Sequence, residues 1–347
     1  MKRPNSAEGR VRRSRVTSFD VAEAAGVSQS TVSRALAGSP SITDETRARV
    51  EAAAARLGYH VDARAARLRS GRTGTLAIVV VGRTGFDPTR VSGFHYALLG
   101  STCAAAAECG YQSLVSFQSD PGEFGWNYFA QGQADGLVVM GTSVNRAAWA
   151  DLLKTDPEGP VAVWGAPHDD GRWVRADNAR GAQLAVERLV NAGYRRIGFL
   201  GTVDSEHPQF AERYQGYRET LMHSGLPAIE PFDVSGADRV AGGREAIERL
   251  LALPEPPDAV FAANDAIALG ALEALDRAGV RVPNDFGVVG FDGLAAGVHA
   301  HPPLTTIEPD FAEAGRALVS RIFDPEGEPT RRVPVQLIER GSVRPAR

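Results

Sequence analysis

The chain has 347 residues, of which 43 % are hydrophobic and 23 % charged, so it is long enough for more than one globular domain and too apolar to be disordered throughout. No run of about 18 apolar residues occurs, and no apolar segment follows the basic start of the chain. We therefore expect neither a membrane-spanning helix nor a secretory signal, and we predict a cytosolic protein.

Charge is distributed unevenly along the chain, although the formal net charge is only −4. Residues 1–72 hold fourteen Lys or Arg against seven Asp or Glu, whereas the remaining residues hold 24 against 35. A basic front segment on an acidic body predicts that the front segment alone binds a polyanion. We expect residues 1–15 to be a disordered basic tail.

The segment after this tail carries signals for two short helices and a tight turn. Thr17, with an acidic residue three positions later, indicates a capped helix that runs through Ala25. Gly26 breaks this helix, and Ser28 can cap a second one over residues 29 to about 37. Two short helices joined by a glycine turn predict a helix-turn-helix unit within residues 16–61.

A third helix completes this unit. Thr43 precedes two acidic residues, which favour a helix start, and the helical pattern runs through Leu57 to a stop at Gly58. The second helix is expected to bury Val32 and Leu36 and to leave short polar side chains outside. Such side chains at a helix N-terminus reach base edges and phosphates in the major groove of DNA.

These residues also match a known pattern. T-x-x-D-V-A, G-V-S-x-x-T-V-S-R and T-x-x-T-R follow one another along residues 17–47, and the segment resembles the DNA-binding head of the lactose repressor (LacI) family. The resemblance implies that Gln29 and Ser30 are the chief base readers. It also implies that Thr31, Ser33 and Arg34 hold phosphate or assist base readout. The candidate DNA-binding residues of these helices are Thr17, Ser28, Gln29, Ser30, Thr31, Ser33 and Arg34.

Residues 62–74 are rich in Ala and Arg but too few to form a stable isolated helix. They resemble the hinge helix of the same family, which pairs with its dimer mate in the minor groove. The resemblance implies that Leu68 is the wedge inserted into DNA and that Ala65 is the small residue facing the partner. The alternative is that Leu68 is a linker residue packed on the core.

The body of the chain, residues 75–347, alternates short apolar runs with amphipathic helical patterns. Continuous apolar strands between such helices indicate parallel sheets covered on both faces. The length predicts two doubly wound lobes, so the fold class is α/β with an N-terminal all-α head. The predicted strands are TLAIVVV, GLVVM, VAVW, RIGFLG, DAVFAA and FGVVGF.

Polar residues follow three of these strands. Arg213 lies at a helix start after RIGFLG, Asn264 follows DAVFAA, and Asp292 follows FGVVGF. Ligands of doubly wound sheets bind beyond the carboxyl ends of the strands, and these side chains combine donors and acceptors that can hold neighbouring hydroxyls or a heterocycle edge. Each taken alone could instead be a helix cap or half of a loop ion pair.

The body also resembles the effector-binding core of LacI-type regulators, which is similar to periplasmic sugar-binding proteins; the segments that carry this are ERYQGYRETL, PDAVFAANDAIALGALEALDRAG and PPLTTIEPDF. The resemblance implies that Arg213, Asn264 and Asp292 contact the effector and that Asp177 lies near the cleft. It also implies that the chain crosses between lobes. We expect a first lobe of about 75–177 with 306–325, and a second lobe of about 178–305 with 330–342.

Aromatic residues near strand ends are further candidates. Trp164 and Phe291 end two predicted strands and are included in the candidate effector-binding set. Phe86, next to Asp87, and Trp126 fall in parts of the first lobe that match the family pattern less closely. An aromatic face can stack on a sugar ring, and the alternative for each of these residues is buried packing.

We predict a homodimeric transcriptional repressor that binds a pseudo-palindromic operator and responds to a small molecule between its lobes. A carbohydrate is the first expectation for this effector and a purine-type corepressor the second. A regulator whose core binds a protein or no ligand is a further alternative. Because the sequence ends at SVRPAR without a leucine heptad, we expect a dimer without an added tetramer-forming coiled coil.

An enzyme on a doubly wound fold is the rival class. The sequence contains no G-x-G-x-x-G after a strand, no G-x-x-x-x-G-K-[ST], no G-x-S-x-G and no H-E-x-x-H, so we expect no catalytic residues. Cys103 and Cys109 are six apart in an Ala-rich helical pattern, which is typical of small packing residues rather than of a metal or redox site. We therefore expect neither a cofactor nor a bound metal.

Overall fold

The structure is a computed structural model that describes residues 16–59, 71–85, 91–120, 122, 124–141, 145–165, 173–204, 207–234, 236, 238–324, 327–328 and 330–346. The expected basic tail and the candidates Ala65, Leu68, Phe86 and Asp87 lie outside these residues. The chain divides into two compact units, residues 1–72 and residues 73–347.

The described part of the first unit is a three-helix head in the predicted order. The Thr17 hydroxyl accepts from the Asp20 N–H, and the Asp20 carboxylate accepts from the Thr17 N–H, so the predicted capping box is present. The helices are α1 (Ser18–Ala25), α2 (Gln29–Leu36) and α3 (Asp44–Leu57).

Small apolar residues hold the head together. Val21, Val32 and Val50, one from each helix, are fully buried against one another's helices. On α2, Ala35 completes the buried face, and Leu36, which was expected to be buried, is only partly covered. The core therefore leaves the polar face of α2 free of packing.

The second unit contains two sheets. The first has the strand order β10-β5-β4-β3-β1-β2, and every neighbouring pair is parallel. Its strands are β1 (Thr75–Val81), β2 (Gln112–Gln118), β3 (Gly136–Met140), β4 (Val161–Trp164), β5 (Trp173–Ala176) and β10 (Arg331–Val333).

The second sheet has the order β11-β9-β8-β7-β6. It is parallel except at its edge, where β11 runs antiparallel to β9. Its strands are β6 (Ile197–Leu200), β7 (Ala259–Ala262), β8 (Gly287–Phe291), β9 (Thr305–Pro309) and β11 (Val335–Ile338).

Helices cover both sheets, as the alternation of patterns predicts. They pack in pairs, α4 with α10, α6 with α7 and α8 with α9. The helices of this unit are α4 (Gly93–Glu108), α5 (Arg146–Thr155), α6 (Asn178–Asn191), α7 (Pro208–His223), α8 (Arg239–Leu251), α9 (Asp265–Arg277) and α10 (Phe311–Phe323), with a 3₁₀ turn at Ala295–His299.

We call the parts built on the first and second sheets the first and second lobes. The chain crosses between them after β5, after β9 and between β10 and β11. The expected boundaries near 306 and 330 need correction, because 305–309 pairs with β8 and belongs to the second lobe, whereas 331–333 pairs with β5 and belongs to the first. The middle crossing lies at Asp310, which caps α10.

The apolar runs did not reveal five strands, β2, β5, β9, β10 and β11, three of which lie at sheet edges. β2 mixes apolar and polar residues, and Leu114 and Val115 on it are more than one-third exposed. Because it pairs on one side only, it lacks the continuous apolar pattern of the central strands. Among the described residues, no helix has the length and apolar character needed to cross a membrane. Cys103, within α4, and Cys109, at its C-cap, are free thiols.

Candidate functional site

A cleft of about 690 Å³ lies between the two lobes, at the carboxyl ends of strands from both sheets. The first lobe supplies Arg83 and Trp164 to its lining, and the second supplies Arg213, Asn264 and Asp292. The structure therefore brings together the three polar residues that the strand-end rule singled out. Trp164, one of the two aromatic candidates of the effector set, lies with them.

Arg213 is the most heavily engaged of these residues. It lies six residues into α7 rather than at the helix start, and it is 3 % exposed. Its Nε donates to Asn178 Oδ1 over 2.9 Å, an Nη donates to the Ala263 carbonyl, and Asp292 lies 3.6 Å away. A buried guanidinium needs such partners, because an unpaired buried charge is strongly destabilising.

The aromatic residue Phe291 lies behind Arg213 and does not line the cleft. It is fully buried, and the guanidinium carbon of Arg213 lies 3.5 Å from its ring centroid. This distance is that of a cation–π contact. Phe291 therefore contacts the candidate site through Arg213.

Asp292 has the unusual backbone of a functional position. Its φ is 118°, a left-handed conformation that side chains rarely adopt, and its N–H donates to the Ile307 carbonyl over 2.7 Å. Burial raises the pKa of its carboxyl to about 7, although the charge of Arg213 opposes the shift. The group can therefore accept a hydrogen bond or donate one near neutral pH.

Asn264 and Asp265 begin α9 at the end of β7. Asn264 lines the cleft while its Oδ1 accepts from the Ile267 N–H over 2.9 Å. Asp265 is fully buried and accepts from the Thr306 hydroxyl over 2.5 Å and from the Leu294 N–H over 2.6 Å. Burial and the nearby charge of Asp292 raise the pKa of Asp265 to about 8.

A polar network ties this site to the first lobe. Glu212 on α7 accepts from Arg175 of β5 over 2.6 Å and from Asn178 over 2.7 Å, and Arg332 of β10 contacts it at 3.2 Å. Burial alone would raise the pKa of Glu212, but hydrogen bonds from Arg332 and Asn178 and the charges of both arginines hold it below its usual value. Because Asn178 also binds Arg213, the network joins both lobes to the cleft.

The other sequence candidates occupy different places. Trp164 lines the cleft, 5.8 Å from the Phe94 ring, and within the described residues its buried indole N–H has no hydrogen-bond partner. Asp177 caps α6 by accepting from the Arg180 N–H over 3.1 Å and is not part of the cleft lining. Trp126 is buried in a separate core of the first lobe.

Several cleft residues were not found from the sequence. Arg83 follows β1 by two residues, so the strand-end rule would have found it if applied to the first lobe. His207, Phe210 and Arg239 lie around the starts of α7 and α8, where no strand precedes them directly. His95 on α4 also lines the cleft, and burial lowers its pKa to about 4, so it is neutral at pH 7.

In the head, α2 presents the predicted polar face. Ser28 caps the helix by accepting from the Thr31 N–H over 3.1 Å, and its hydroxyl lies 2.8 Å from the hydroxyls of both Ser30 and Thr31. Ser30 and Arg34 are exposed, whereas Ser33 is half-buried. The face is therefore a row of small hydrogen-bonding groups beside one cation.

One contact connects this face with α1, and a second lies within α2. Gln29 Nε2 donates to the Ser18 hydroxyl over 3.2 Å, and Arg34 Nε donates to the Ser30 carbonyl over 3.4 Å. Phe19 on α1 is 71 % exposed, so its ring lies outside the small core of the head. The sequence analysis did not select Phe19. It could have been found as an aromatic residue that lies outside the buried face of α1.

Comparison with known proteins places both sites in one family. The family of bacterial regulatory proteins of the lacI type matches residues 19–62, and the periplasmic binding protein-like domain matches residues 186–343. The HTH-type transcriptional repressor CytR of Escherichia coli (strain K12) is 31 % identical over 336 residues, which cover 94 % of this chain and 96 % of that protein. The chain belongs to the LacI family.

Other LacI-family proteins match over nearly the whole length. The ribose operon repressor of Escherichia coli (strain K12) is 32 % identical over 340 residues, covering 94 % of this chain and 99 % of that repressor. The structure of the Lac repressor bound to ONPG in the repressed state has a TM-score of 0.73 at 26 % identity, covering 94 % and 99 % of the two chains. The CelR–cellobiose complex has a TM-score of 0.64 at 30 % identity, covering 94 % and 100 %.

Proposed function

We propose that this LacI-family chain is a homodimeric transcriptional repressor whose affinity for a pseudo-palindromic operator changes when a small molecule binds in the interlobe cleft. The observation that carries the proposal is the presence, in one chain, of a helix with an exposed hydrogen-bonding face and a cleft with buried polar groups. Acting on the chromosome, such a protein works in the cytoplasm. Its chemistry is recognition, and no catalytic residue is assigned.

Operator recognition is assigned to α2 and the start of α1. Gln29 and Ser30 would read base edges, while Thr31, Ser33 and Arg34 would hold phosphates or assist. The exposed ring of Phe19 adds an apolar surface suited to a thymine methyl group. Two copies of α2 must lie in successive major grooves, about 34–36 Å apart, which requires a two-fold dimer and a two-fold operator.

The effector is assigned to the cleft, and a carbohydrate is the class that we favour. Arg213, Asn264 and Asp292 offer donors and acceptors within one wall of the cleft, as neighbouring hydroxyls require. Two relatives carry sugar names, the ribose operon repressor and the CelR–cellobiose complex. Trp164 and Phe210, which line the cleft, provide apolar surface for the face of a sugar ring.

Coupling follows from ligand contacts with both lobes. A ligand that binds the closed arrangement of the lobes more tightly than the open one shifts the population toward closure. Closure moves the start of the first lobe, to which the segment with Ala65 and Leu68 connects. The roles of Ala65 facing the dimer mate and of Leu68 in the minor groove remain predictions.

Selection of duplexes from random DNA, followed by titration of the selected operator with candidate sugars, tests the proposal. We expect a two-fold symmetric consensus, and we expect Asp292→Ala to keep operator affinity while losing the sugar response. Asp276→Ala, on the exposed face of α9, is the matched control and keeps both. A protein that prefers no duplex over random competitor, with or without sugars, would overturn the proposed function.

A further inference from the structure

The cleft contains two arginines from opposite lobes that converge on one short segment. Arg83, from the first lobe, donates from Nη1 to the Gly236 carbonyl over 2.9 Å. Arg239, the first residue of α8 in the second lobe, donates from an Nη to the Val234 carbonyl. Because the two carbonyls are two residues apart, the guanidinium groups lie near each other at one side of the cleft.

Neither guanidinium is neutralised within the described ranges. No described carboxylate lies within 4.0 Å of Arg83 or Arg239, whereas Arg213 has Asp292 at 3.6 Å. Burial lowers the pKa of both groups, and the charge of Arg83 adds to the shift that takes Arg239 to about 10. The two cations therefore stand close together, partly desolvated, with only carbonyl and imidazole acceptors.

The charges of Asp233 and Asp204 partly offset the effect of burial and of Arg83 on the pKa of Arg239, and two of the acidic groups nearby, Asp238 and Asp204, have other partners. Asp238 caps α8 by accepting from the Ala241 N–H over 3.0 Å. Asp204 accepts from His207 Nδ1 over 2.8 Å, and His207 Nε2 in turn accepts from Arg239 over 3.0 Å. Since a neutral histidine uses one nitrogen as donor and the other as acceptor, this chain orients Arg239 without placing a carboxylate against it.

Arg239 is the first residue of α8, and a helix N-terminus is an unfavourable place for a positive charge. The N-terminus of a helix carries partial positive charge, so an arginine there is repelled, while an anion is attracted. α8 has 13 residues, enough for a full dipole effect at its first turn. An arginine at this place, facing another arginine across a cleft, is explained by a negative group between them.

We propose that the effector of this regulator is a polyhydroxylated compound carrying a phosphate or carboxylate group, and that Arg83 and Arg239 bind this anionic group from opposite lobes. The inference rests on the proposed function of the cleft and specifies its ligand class. Arg213, Asn264 and Asp292 hold the hydroxylated body of the ligand, away from the anionic group. An anion between the two guanidinium groups also removes their mutual repulsion, so it favours closure of the lobes.

Inorganic phosphate is the first probe, because it tests the arginine pair whichever sugar carries the anion. Full-length protein is titrated with phosphate by calorimetry and thermal shift, with sodium chloride at equal ionic strength as reference. We expect phosphate to raise the melting temperature above the chloride reference. We expect Arg83→Gln and Arg239→Gln each to weaken phosphate binding about tenfold or more, the loss typical of one charged hydrogen-bonding partner.

Arg244→Gln is the matched control. Arg244 lies on the same helix, pairs with Glu273 over 2.7 Å and does not line the cleft, so its loss should leave the phosphate response unchanged. Operator binding by each variant reports an intact fold. If Arg239→Gln unfolds the protein, the test relies on Arg83→Gln, because Arg83 is less buried. A phosphate response no larger than that of chloride, or one that persists in both cleft variants, overturns the inference.

The second probe compares a neutral hexose, its 6-phosphate and its aldonic acid for their effect on operator binding. Preference for the phosphate identifies a phosphate ester, and preference for the acid identifies a carboxylate. A response to the neutral sugar alone overturns the inference and leaves the proposed function intact. Absence of operator binding under every condition contradicts the proposed function. In that case the phosphate titration still shows whether Arg83 and Arg239 bind an anion.

Discussion

Arg175 and Glu212 form a largely buried ion pair between the two lobes, with 2.6 Å between Nη1 and Oε1. Arg175 is 1 % exposed on β5, whereas Glu212 belongs to α7 and also binds Asn178, the partner of Arg213. The relative position of the lobes and the orientation of the candidate effector arginine therefore depend on one carboxylate.

Replacing this carboxylate tests that dependence. Glu212→Gln removes the carboxylate that pairs with the buried guanidinium of Arg175, so we expect the free energy of unfolding of the core to fall by about 3 kcal/mol in urea titrations. Glu273→Gln removes the partner of Arg244 on the surface and should cost less than about 1 kcal/mol. Equal losses in the two variants would show that the interlobe pair contributes no more than an exposed one.

Asp265 predicts a pH dependence of stability. Its folded pKa of about 8 is raised above the ordinary value of 3.8, so folding favours the protonated carboxyl. The stabilisation is complete below pH 3.8 and is lost as the pH rises through about 8. Thermal unfolding at pH 5, 6.5 and 8 should show wild type losing stability relative to Asp265→Asn, whose amide does not titrate; a constant or rising difference contradicts this.

Close packing between α8 and α9 gives a steric prediction. A Cβ on Gly243 would lie 2.2 Å from the Ile267 carbonyl oxygen, which is backbone and cannot rotate away. Gly243→Ala should therefore lower the free energy of unfolding by about 1–3 kcal/mol. Gly100 on α4 has nothing within 4 Å of such a Cβ, so Gly100→Ala should be neutral or stabilise by up to about 1 kcal/mol. Similar effects at both positions would refute the steric explanation.

The head gives a pair of distinguishable predictions for DNA binding. Arg34→Ala should weaken binding to all sequences and reduce the slope of log affinity against log salt by about 1. Gln29→Ala should instead change which bases are preferred, at a cost of about 1–3 kcal/mol on the best site. Fluorescence anisotropy across salt concentrations and selection from random duplexes measure the two effects, and identical consensus sequences for wild type and the Gln29 variant would remove it from the base-reading set.

Local signals in the sequence account for what could be predicted. Caps such as Thr17 and Ser28, and the glycine at position 58, act within one helix, so three helices could be located from neighbouring residues alone. The strand-end rule found Asn264 and Asp292 because each follows closely after a buried, continuous apolar strand, whereas Arg213 was found on the helix that comes after such a strand. Those strands are buried on both faces and carry the clearest pattern.

What was missed depends on contacts between distant parts of the chain. Arg239 reaches the cleft through the packing of α8, and nothing near it in sequence marks it as part of a site. The family resemblance implied that Asp177 lies near the cleft, and in the structure it caps α6 and does not line the cleft. The exact crossing at Asp310 is set by the pairing of β9 with β8, which a single sequence does not specify.

The internal partners of Arg213 have a thermodynamic consequence. Free arginine side chains sample many rotamers, and ordering one costs roughly 2 kcal/mol. Here Asn178, the Ala263 carbonyl and the Phe291 ring already fix the guanidinium, so folding has absorbed that cost before any ligand arrives. Binding at this arginine therefore selects ligands whose hydroxyl groups already match the fixed position of the guanidinium. A compound with misplaced hydroxyls loses these hydrogen bonds, because the side chain does not move to meet them.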